Sequence, residues 1–451
     1  MNDISPKIKL NDEQEHAVRQ MLEGKGHLLI TGVAGTGKTA VIKEFQRRNK
    51  KNLVCLAPTG LAAQNIGGAT IHRFFGFPNS ITQPLDIKRK LLLDSTEVIL
   101  IDEVSMLSSY YLEALVAVLR KNSLRYNNNL DFAGKQMIFV GDFCQLPPVI
   151  DNEKLYDYIM ENYGGPYTFF APEWRIADIK PIILKQVHRQ TDPNFLSFLN
   201  NLRTVSLGAY AAVLPDLLRK QLEFVNRNCV RQPDSDDAFT ICTTKKLADQ
   251  RNRTMIDNLH SKEYFFNARV KGIFPYADYP IDFALKLKEG MRVMLAANKY
   301  NDGGELEYNN GSFGVITACN GDNSDVVRVL LDDGREVDVI PHDWENLEYE
   351  RSRDENGKEI ITPTPIGTFT QMPILPGYAI SIHKSQGKTF DKVHIMLDGG
   401  CFASGQLYTA LSRCRTLDGI TLSSRIRSDD IFIDEIVVSY YKYLEAQIQY
   451  S

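Results

Sequence analysis

The chain lacks any run of about 18 apolar residues, the length that a membrane-spanning helix needs, so no such span is expected. Its start, "MNDISPKIKL", has no apolar core and does not read as a secretory signal. No CxxC occurs. The seven cysteines (Cys55, Cys144, Cys229, Cys242, Cys319, Cys401 and Cys414) stand singly. An odd, dispersed set reads as reduced thiols of a cytoplasmic protein, not as a disulfide framework. No histidines lie at zinc-ligand spacing. An excess of positive charge is missing too: the formal net charge is −4, so a bound nucleic acid would have to lie in a local channel. There is no fixed-period repeat and no low-complexity tract. The remainder, 451 residues with 43% hydrophobic and 24% charged content, suits an ordinary globular protein of two or three domains.

Short apolar runs recur along the first part of the chain, each followed by a polar or glycine-bearing turn: "HLLITG" from residue 27, "NLVCLAPT" from 52, "EVILIDE" from 97, "QMIFVGD" from 136 and "IKPIILKQ" from 179. Runs without polar alternation are what a parallel sheet covered on both faces produces. Residues 1–180 are therefore expected to form one α/β domain, with a small insertion near 63–78. A second α/β series occupies 181–299 and resumes over 369–451. Between them, 300–368 is β-rich, with hairpin signals at Asp333-Gly334 and Asn356-Gly357, and reads as a small inserted β-barrel. The fold class is thus α/β, two similar domains with a barrel inserted in the second.

"GVAGTGKT", Gly32 to Thr39, is a complete phosphate-binding loop between a strand and a helix. Gly32, Ala34, Gly35, Thr36 and Gly37 supply backbone that can approach phosphates. Lys38 can neutralise β- and γ-phosphate charge, and the Thr39 hydroxyl can hold Mg²⁺. Some sixty residues later "VILIDEVSML" ends a strand in two carboxylates. Asp102 suits the Mg²⁺ shell and Glu103 suits activation of the attacking water. In "IFVGDFCQLPPV" another strand empties into polar residues, among them Gln145, a candidate sensor of the γ-phosphate. A second Gly-Lys-Thr, in "SIHKSQGKTF", is not a phosphate loop: Ile382 stands where the first glycine is required, and "YAISIHKSQ" reads as a helix ending at Gly387.

These motifs occur in one order with "APTGLAAQNIGGATIH", "VHRQ", "HKSQGKTFDKV" and "QLYTALSRCR". The set resembles superfamily-one, B-type helicases, and within them the Pif-type (petite integration frequency) 5′-to-3′ DNA helicases, with RecD-like helicases as near relatives. The resemblance spans residues 14 to 415. It implies two RecA-like domains with ATP between them, Mg²⁺ as cofactor, and single-stranded, forked or structured DNA as partner. It makes Gln14, in "LNDEQ", similar to an adenine-recognising glutamine. Arg189 and Arg413 become arginine fingers reaching the γ-phosphate, alongside Glu103 and Gln145 as catalytic residues. In "HKSQGKTF" it implies the link between strand groove and ATP cleft, the Gly-Lys-Thr being incidental.

By the same resemblance the strand is held in the first domain by Pro58, Thr59, Asn65, Thr70, His72 and Phe74, and in the second by Thr243, Thr244, His383 and Lys384. Hydroxyls, amides and imidazoles can bind phosphates without reading sequence, and aromatics can stack bases. Phe75 and Phe77 read as core of a turn, and "YNNGSFGV" (Asn310, Gly311) as a cover over the strand. The implied activity is ATP-driven 5′-to-3′ unwinding in genome maintenance, extending to G-quadruplexes and RNA–DNA hybrids. The alternative is a translocase that displaces proteins without processive unwinding. A bacterial-type core is expected, monomeric in solution, with a second copy recruited on DNA.

Overall fold

The computed structural model describes residues 9–75, 77, 90–122, 131–150, 152–204, 214–233, 239–301, 306–319, 325–353 and 359–449. Its first sheet has six strands: β1 (His27–Gly32), β2 (Leu53–Ala57), β3 (Ala69–Thr70), β4 (Val98–Ile101), β5 (Gln136–Gly141) and β6 (Ile179–Leu184). They lie in the order β3-β2-β4-β5-β1-β6 and every pairing is parallel. The strands are apolar on both faces because both are covered. Ala17, Val18, Val41, Ile42 and Phe45 from two helices pack on one face with Leu28, Ile30 and Val140. Leu112, Leu115, Leu119 and Trp174 cover the other, with Leu29 and Phe139.

The expected boundary at 180 cuts through a strand. β6 pairs with β1 from His27↔Ile179 to Gly32↔Leu184, so residues to Leu184 belong to the first sheet. As an edge strand it tolerates Pro181, whose missing N–H would break an inner ladder. The second sheet is smaller, with β7 (Thr240–Cys242) between Ala379–Ser381 and Val393–Met396, and Ile420–Leu422 beyond, all parallel. The C-terminal helix Glu435–Gln449, assigned from sequence to the second domain, returns to the first: Trp174 Nε1 donates to the Tyr440 hydroxyl at 3.0 Å, and Phe169 stacks on Tyr440 at 4.1 Å.

The β-rich insertion is wider than 300–368. Antiparallel strands already pair at Glu263–Asn267 with Ala284–Lys288, and a five-stranded sheet takes Arg292–Leu295 and Ile374–Pro376 as members. "RVML" is buried on nearly every residue, so it reads like a parallel-sheet run and hides its antiparallel partners. A second sheet joins His342–Arg353, Glu359–Gln371 and Arg269–Gly272. The region has its own core, including Leu287, Val293, Val329 and Phe369. Asp333-Gly334 does form the expected turn, with Gly334 at φ +87° between Val327–Leu331 and Glu336–Val339. Asn356-Gly357, and residues 76 and 78 of the 63–78 insertion, lie outside the described residues.

"YAISIHKSQ" is not one helix. Ala379–Ser381 is a strand, and Ile382–Ser385 is a single turn capped by the Ser381 hydroxyl, which accepts from Lys384 N at 3.4 Å. Gly387-Lys388 follows that turn instead of opening a helix.

Candidate nucleotide site and strand interface

β4, β5 and β1 are neighbours, so the three acidic or glycine-rich motifs emerge side by side at the carboxyl edge of one sheet, where ligands of open α/β folds bind. Lys38 opens the helix Lys38–Arg48, and Gly37 before it is left-handed at φ +81°. That left-handed φ favours glycine, and a Cβ at Gly37 would also stand 2.4 Å from Gln14 Nε2 and displace that amide from the loop. The Lys38 ammonium donates to the carbonyls of Gly32 (2.8 Å) and Val33 (3.2 Å). Burial lowers its pKa, while the charges of Asp142 and Glu103 oppose that shift.

Asp102 Oδ1 accepts from Glu103 N at 2.9 Å. Burial, then the neighbouring Glu103 charge, push the Asp102 carboxyl above the usual carboxylate range, and burial also raises Glu103, whose charge Lys38 and Arg413 favour. Glu103 sits in the left-handed region at φ +51°, a strain of about 1–3 kcal/mol for a non-glycine residue. Two adjoining acids of this kind, Asp102 buried and Glu103 half-buried, fit a dication. With the exposed Thr39 hydroxyl, which has no hydrogen bond among the described residues, Asp102 would hold Mg²⁺.

A single cavity of about 1160 Å³ is lined by Lys38, Thr39, Glu103, Gln145, Arg189 and Arg413, and extends past Asn65, Lys388 and Asn310 to Trp344. Arg413 comes from the second sheet's side, just after the helix Gln406–Leu411, and is 1% exposed. Its Nε donates to Thr409 O and its Nη2 to the Ser412 hydroxyl, both at 3.0 Å. Arg189 Nη1 donates to Ser412 O at 3.0 Å, and burial with the adjacent Arg413 charge pulls its pKa down to about 9. Gln190 binds the carbonyls of Ser412 (2.9 Å) and Cys414 (3.0 Å), so Arg189 and Gln190 hold the backbone on both sides of Arg413. Gln14 is buried. Its Oε1 accepts from Asn11 N at 3.0 Å and its Nε2 donates to Thr36 O at 2.9 Å, so both amide atoms serve the helix cap and the phosphate loop.

Sequence reasoning missed the hub beneath this cavity. Asp142, fully buried, receives the Tyr441 hydroxyl (3.0 Å), Cys144 N (3.1 Å) and Arg203 Nη2 (3.2 Å) on Oδ1, and the Tyr408 hydroxyl (3.2 Å) on Oδ2. Arg203 lies over the Tyr441 ring at 4.3 Å. Tyr408 also accepts from Ala34 N at 2.9 Å, and Tyr441 meets Thr31 Oγ1 at 2.7 Å. Burial would raise the Asp142 pKa, but Arg203 and Lys38 hold it below the usual carboxylate value. Asp142 and Tyr408 fall inside quoted motifs and could have been singled out. Tyr441, in an amphipathic helix, carries no sequence signal.

The strand candidates divide. Thr59 and Thr244 occupy equivalent places in the two sheets, each capping the helix after its strand by accepting from Ala62 N (3.3 Å) and Leu247 N (3.2 Å). Pro58 is partly exposed, Asn65 and Lys384 are exposed, and Thr70 Oγ1 accepts from Arg73 N at 3.4 Å. His72 stands edge-on to Tyr111 at 4.7 Å, and burial lowers its pKa and that of His383. Two expectations fail. Phe74 is 3% exposed and packs edge-on against Phe75 in the core, so it offers no face to a base. Thr243 is 1% exposed, its hydroxyl turned to Asp398 O at 3.5 Å.

With this geometry established, residues 9–198 match the family pattern of the PIF1-like helicases. The crystal structure of Bacteroides sp Pif1 with ADP-AlF4 superposes with a TM-score of 0.83 at 30% identity, covering 98% of both chains. The chain belongs to the PIF1-like helicase family. The two RecA-like domains expected from sequence are those of this family's fold. The ssDNA-bound Bacteroides Pif1 gives a TM-score of 0.65 at the same identity, covering 97% of both chains. The arrangement described here is therefore nearer that of the ADP-AlF4 complex, and of the unliganded Bacteroides Pif1 at a TM-score of 0.81, than that of the ssDNA-bound form. The ATP-dependent DNA helicase PIF1 of Xenopus laevis is 31% identical over 92% of this chain, which spans 61% of that relative's length. No helix among the described residues is long and apolar enough to cross a membrane.

Proposed function

We propose that this PIF1-like chain is an ATP-hydrolysing DNA helicase that moves 5′-to-3′ along single-stranded DNA and opens forked or structured DNA, including G-quadruplexes and RNA–DNA hybrids. The observation that carries the reading is that Lys38 and Glu103 from one sheet line the same cavity as Arg413 from the other side. Nucleotide held there would be completed by both domains, so its hydrolysis would depend on how they close. The relatives' complexes with ADP-AlF4 and with ssDNA support both ligands.

In this mechanism the loop amides and Lys38 bind the phosphates, and Gln14 holds the loop so that adenine recognition falls beside it. Thr39 and Asp102 would hold Mg²⁺, which would supply positive charge against that of the phosphates. Glu103 accepts the proton of the attacking water, and Gln145 orients that water or the γ-phosphate. Arg413 and Arg189 stabilise charge developing on the transferred phosphoryl group, a contribution of about 10³–10⁵ in rate for such arginines. Closing and reopening alternate the grip of Thr59, Asn65, Thr70 and His72 against that of Thr244, His383 and Lys384. The chain acts as a monomer in solution, with a second copy engaging at a fork.

Glu103→Gln tests the chemistry. Steady-state ATPase should be lost while fluorescent ATP-analogue binding persists. Turnover at the wild-type rate in that variant would refute Glu103 as the base.

A further inference from the structure

The Gly387-Lys388-Thr389 stretch, which resembles a phosphate loop but cannot form one, stands where three parts of the molecule meet. Lys388 lines the large cavity, and its ammonium donates to Asn310 Oδ1 at 3.3 Å, across to the β-rich insertion. Asn310 belongs to the turn before Phe313–Cys319, held by its own N–H donating to Asn298 Oδ1 at 2.7 Å. From the first domain comes Asn65: a Cβ added to Gly387 would lie 3.3 Å from Asn65 Nδ2. Gly387 is left-handed at φ +75°, which lets the chain turn beside Asn65 and present the lysine to the cavity.

The partner of Lys388 is a neutral amide at the long end of the hydrogen-bond range. Among the described residues it has no ion pair, although Asp343 and Glu345 line the same cavity. Burial lowers its pKa to about 8, with no carboxylate opposing that shift. A half-buried ammonium without a counter-charge, bonded to one neutral amide with a second amide beside the preceding glycine, and facing an open channel, is suited to an oxyanion.

We propose that Lys388 is a phosphodiester ligand for the tracked single strand, and that Asn310 is its resting partner when no strand is bound. This rests on the strand-tracking reading above. A strand phosphate would replace Asn310 Oδ1 at the ammonium. Asn65 and Asn310 would then donate amide hydrogens to the same phosphate or its neighbour. The second α/β domain and the insertion would thereby meet on one phosphate, with Asn65 of the first domain alongside.

The test is fluorescence anisotropy of a labelled oligothymidine against salt concentration, without nucleotide, on the full chain. Each phosphate neutralised on a single strand contributes about 0.7 to the slope of log affinity against log salt. Lys388→Gln should lower the slope by about 0.7, whereas Lys388→Arg should preserve it. Asn310→Asp, which supplies a resident counter-ion, should weaken strand binding in the wild-type background and less so beside Lys388→Gln. An unchanged slope in Lys388→Gln overturns the proposal. If the slope is unchanged but the KM for ATP rises without strand, the phosphate is the nucleotide's and the strand assignment fails. Failure of the wild-type chain to bind the strand would overturn the strand-tracking reading itself, and the role of Lys388 with it.

Discussion

Replacing Tyr408 with phenylalanine removes one oxygen and with it two hydrogen bonds that join distant parts of the chain. That oxygen accepts from Ala34 N at the start of the phosphate loop and donates to Asp142 Oδ2. Tyr408 is 2% exposed, so no water replaces it readily. A buried N–H left without an acceptor costs about 1–3 kcal/mol, and a hydrogen bond to a charged group is worth a similar amount. Asp142 keeps Arg203, Tyr441 and Cys144 N, which limits the second loss. A net destabilisation of about 3 kcal/mol is expected, lowering the melting temperature by about 3 °C for a chain of 451 residues. Because the helix of Tyr408 leads directly into Arg413, strand-stimulated turnover should fall more than basal turnover, and the KM for ATP should rise. Thermal denaturation and steady-state ATPase with and without single strand read both effects. A double-mutant cycle with Asp142→Asn should show coupling between the two positions. Wild-type melting together with wild-type strand stimulation in Tyr408→Phe would refute the view that this hydroxyl connects the loop to the second domain.

Two further outcomes follow from single contacts. His72→Ala should weaken strand-stimulated ATPase more than basal ATPase, because the imidazole is proposed to face the strand; equal loss of both would mean that its packing on Tyr111 is purely structural. Glu44 accepts from Arg47 Nη2 at 2.6 Å and Arg48 Nε at 2.5 Å, and the Arg47 hydrogen bond foremost brings its pKa down from 4.5 to about 2. The folded-state pKa is depressed, so its stabilisation is present above about pH 4.5 and lost as pH falls towards 2. Glu44→Gln should therefore cost about 1–3 kcal/mol at pH 7 in denaturant titrations, and the gap to wild type should close in acid. A gap independent of pH would contradict that assignment.

The phosphate loop and the acidic strand end were legible because each packs its whole geometry into consecutive residues: strand, glycine turn, helix. Arg413 was legible only through resemblance, since a lone arginine is more often a surface ion pair. Phe74 misled because an aromatic beside polar strand candidates looks like a base platform, and only the packing of Phe75 and the core behind it turns it inward. Domain limits failed where a local run has the same appearance in two contexts. "IKPIILKQ" serves equally as the end of one sheet or the start of another, and the pairing with β1 that decides it comes from residues about 150 positions earlier. The Asp142 hub lay beyond sequence because its partners, Arg203, Tyr408 and Tyr441, are far apart in the chain and meet only after both sheets have formed.

The central claim is a motor of defined polarity. Unwinding would be measured on two otherwise identical duplexes, one with a 5′ single-stranded tail and one with a 3′ tail, in the presence of ATP and Mg²⁺. The account predicts ATP-dependent unwinding of the 5′-tailed duplex alone. Unwinding of the 3′-tailed duplex alone, or an ATPase indifferent to single strands on both substrates, would contradict it.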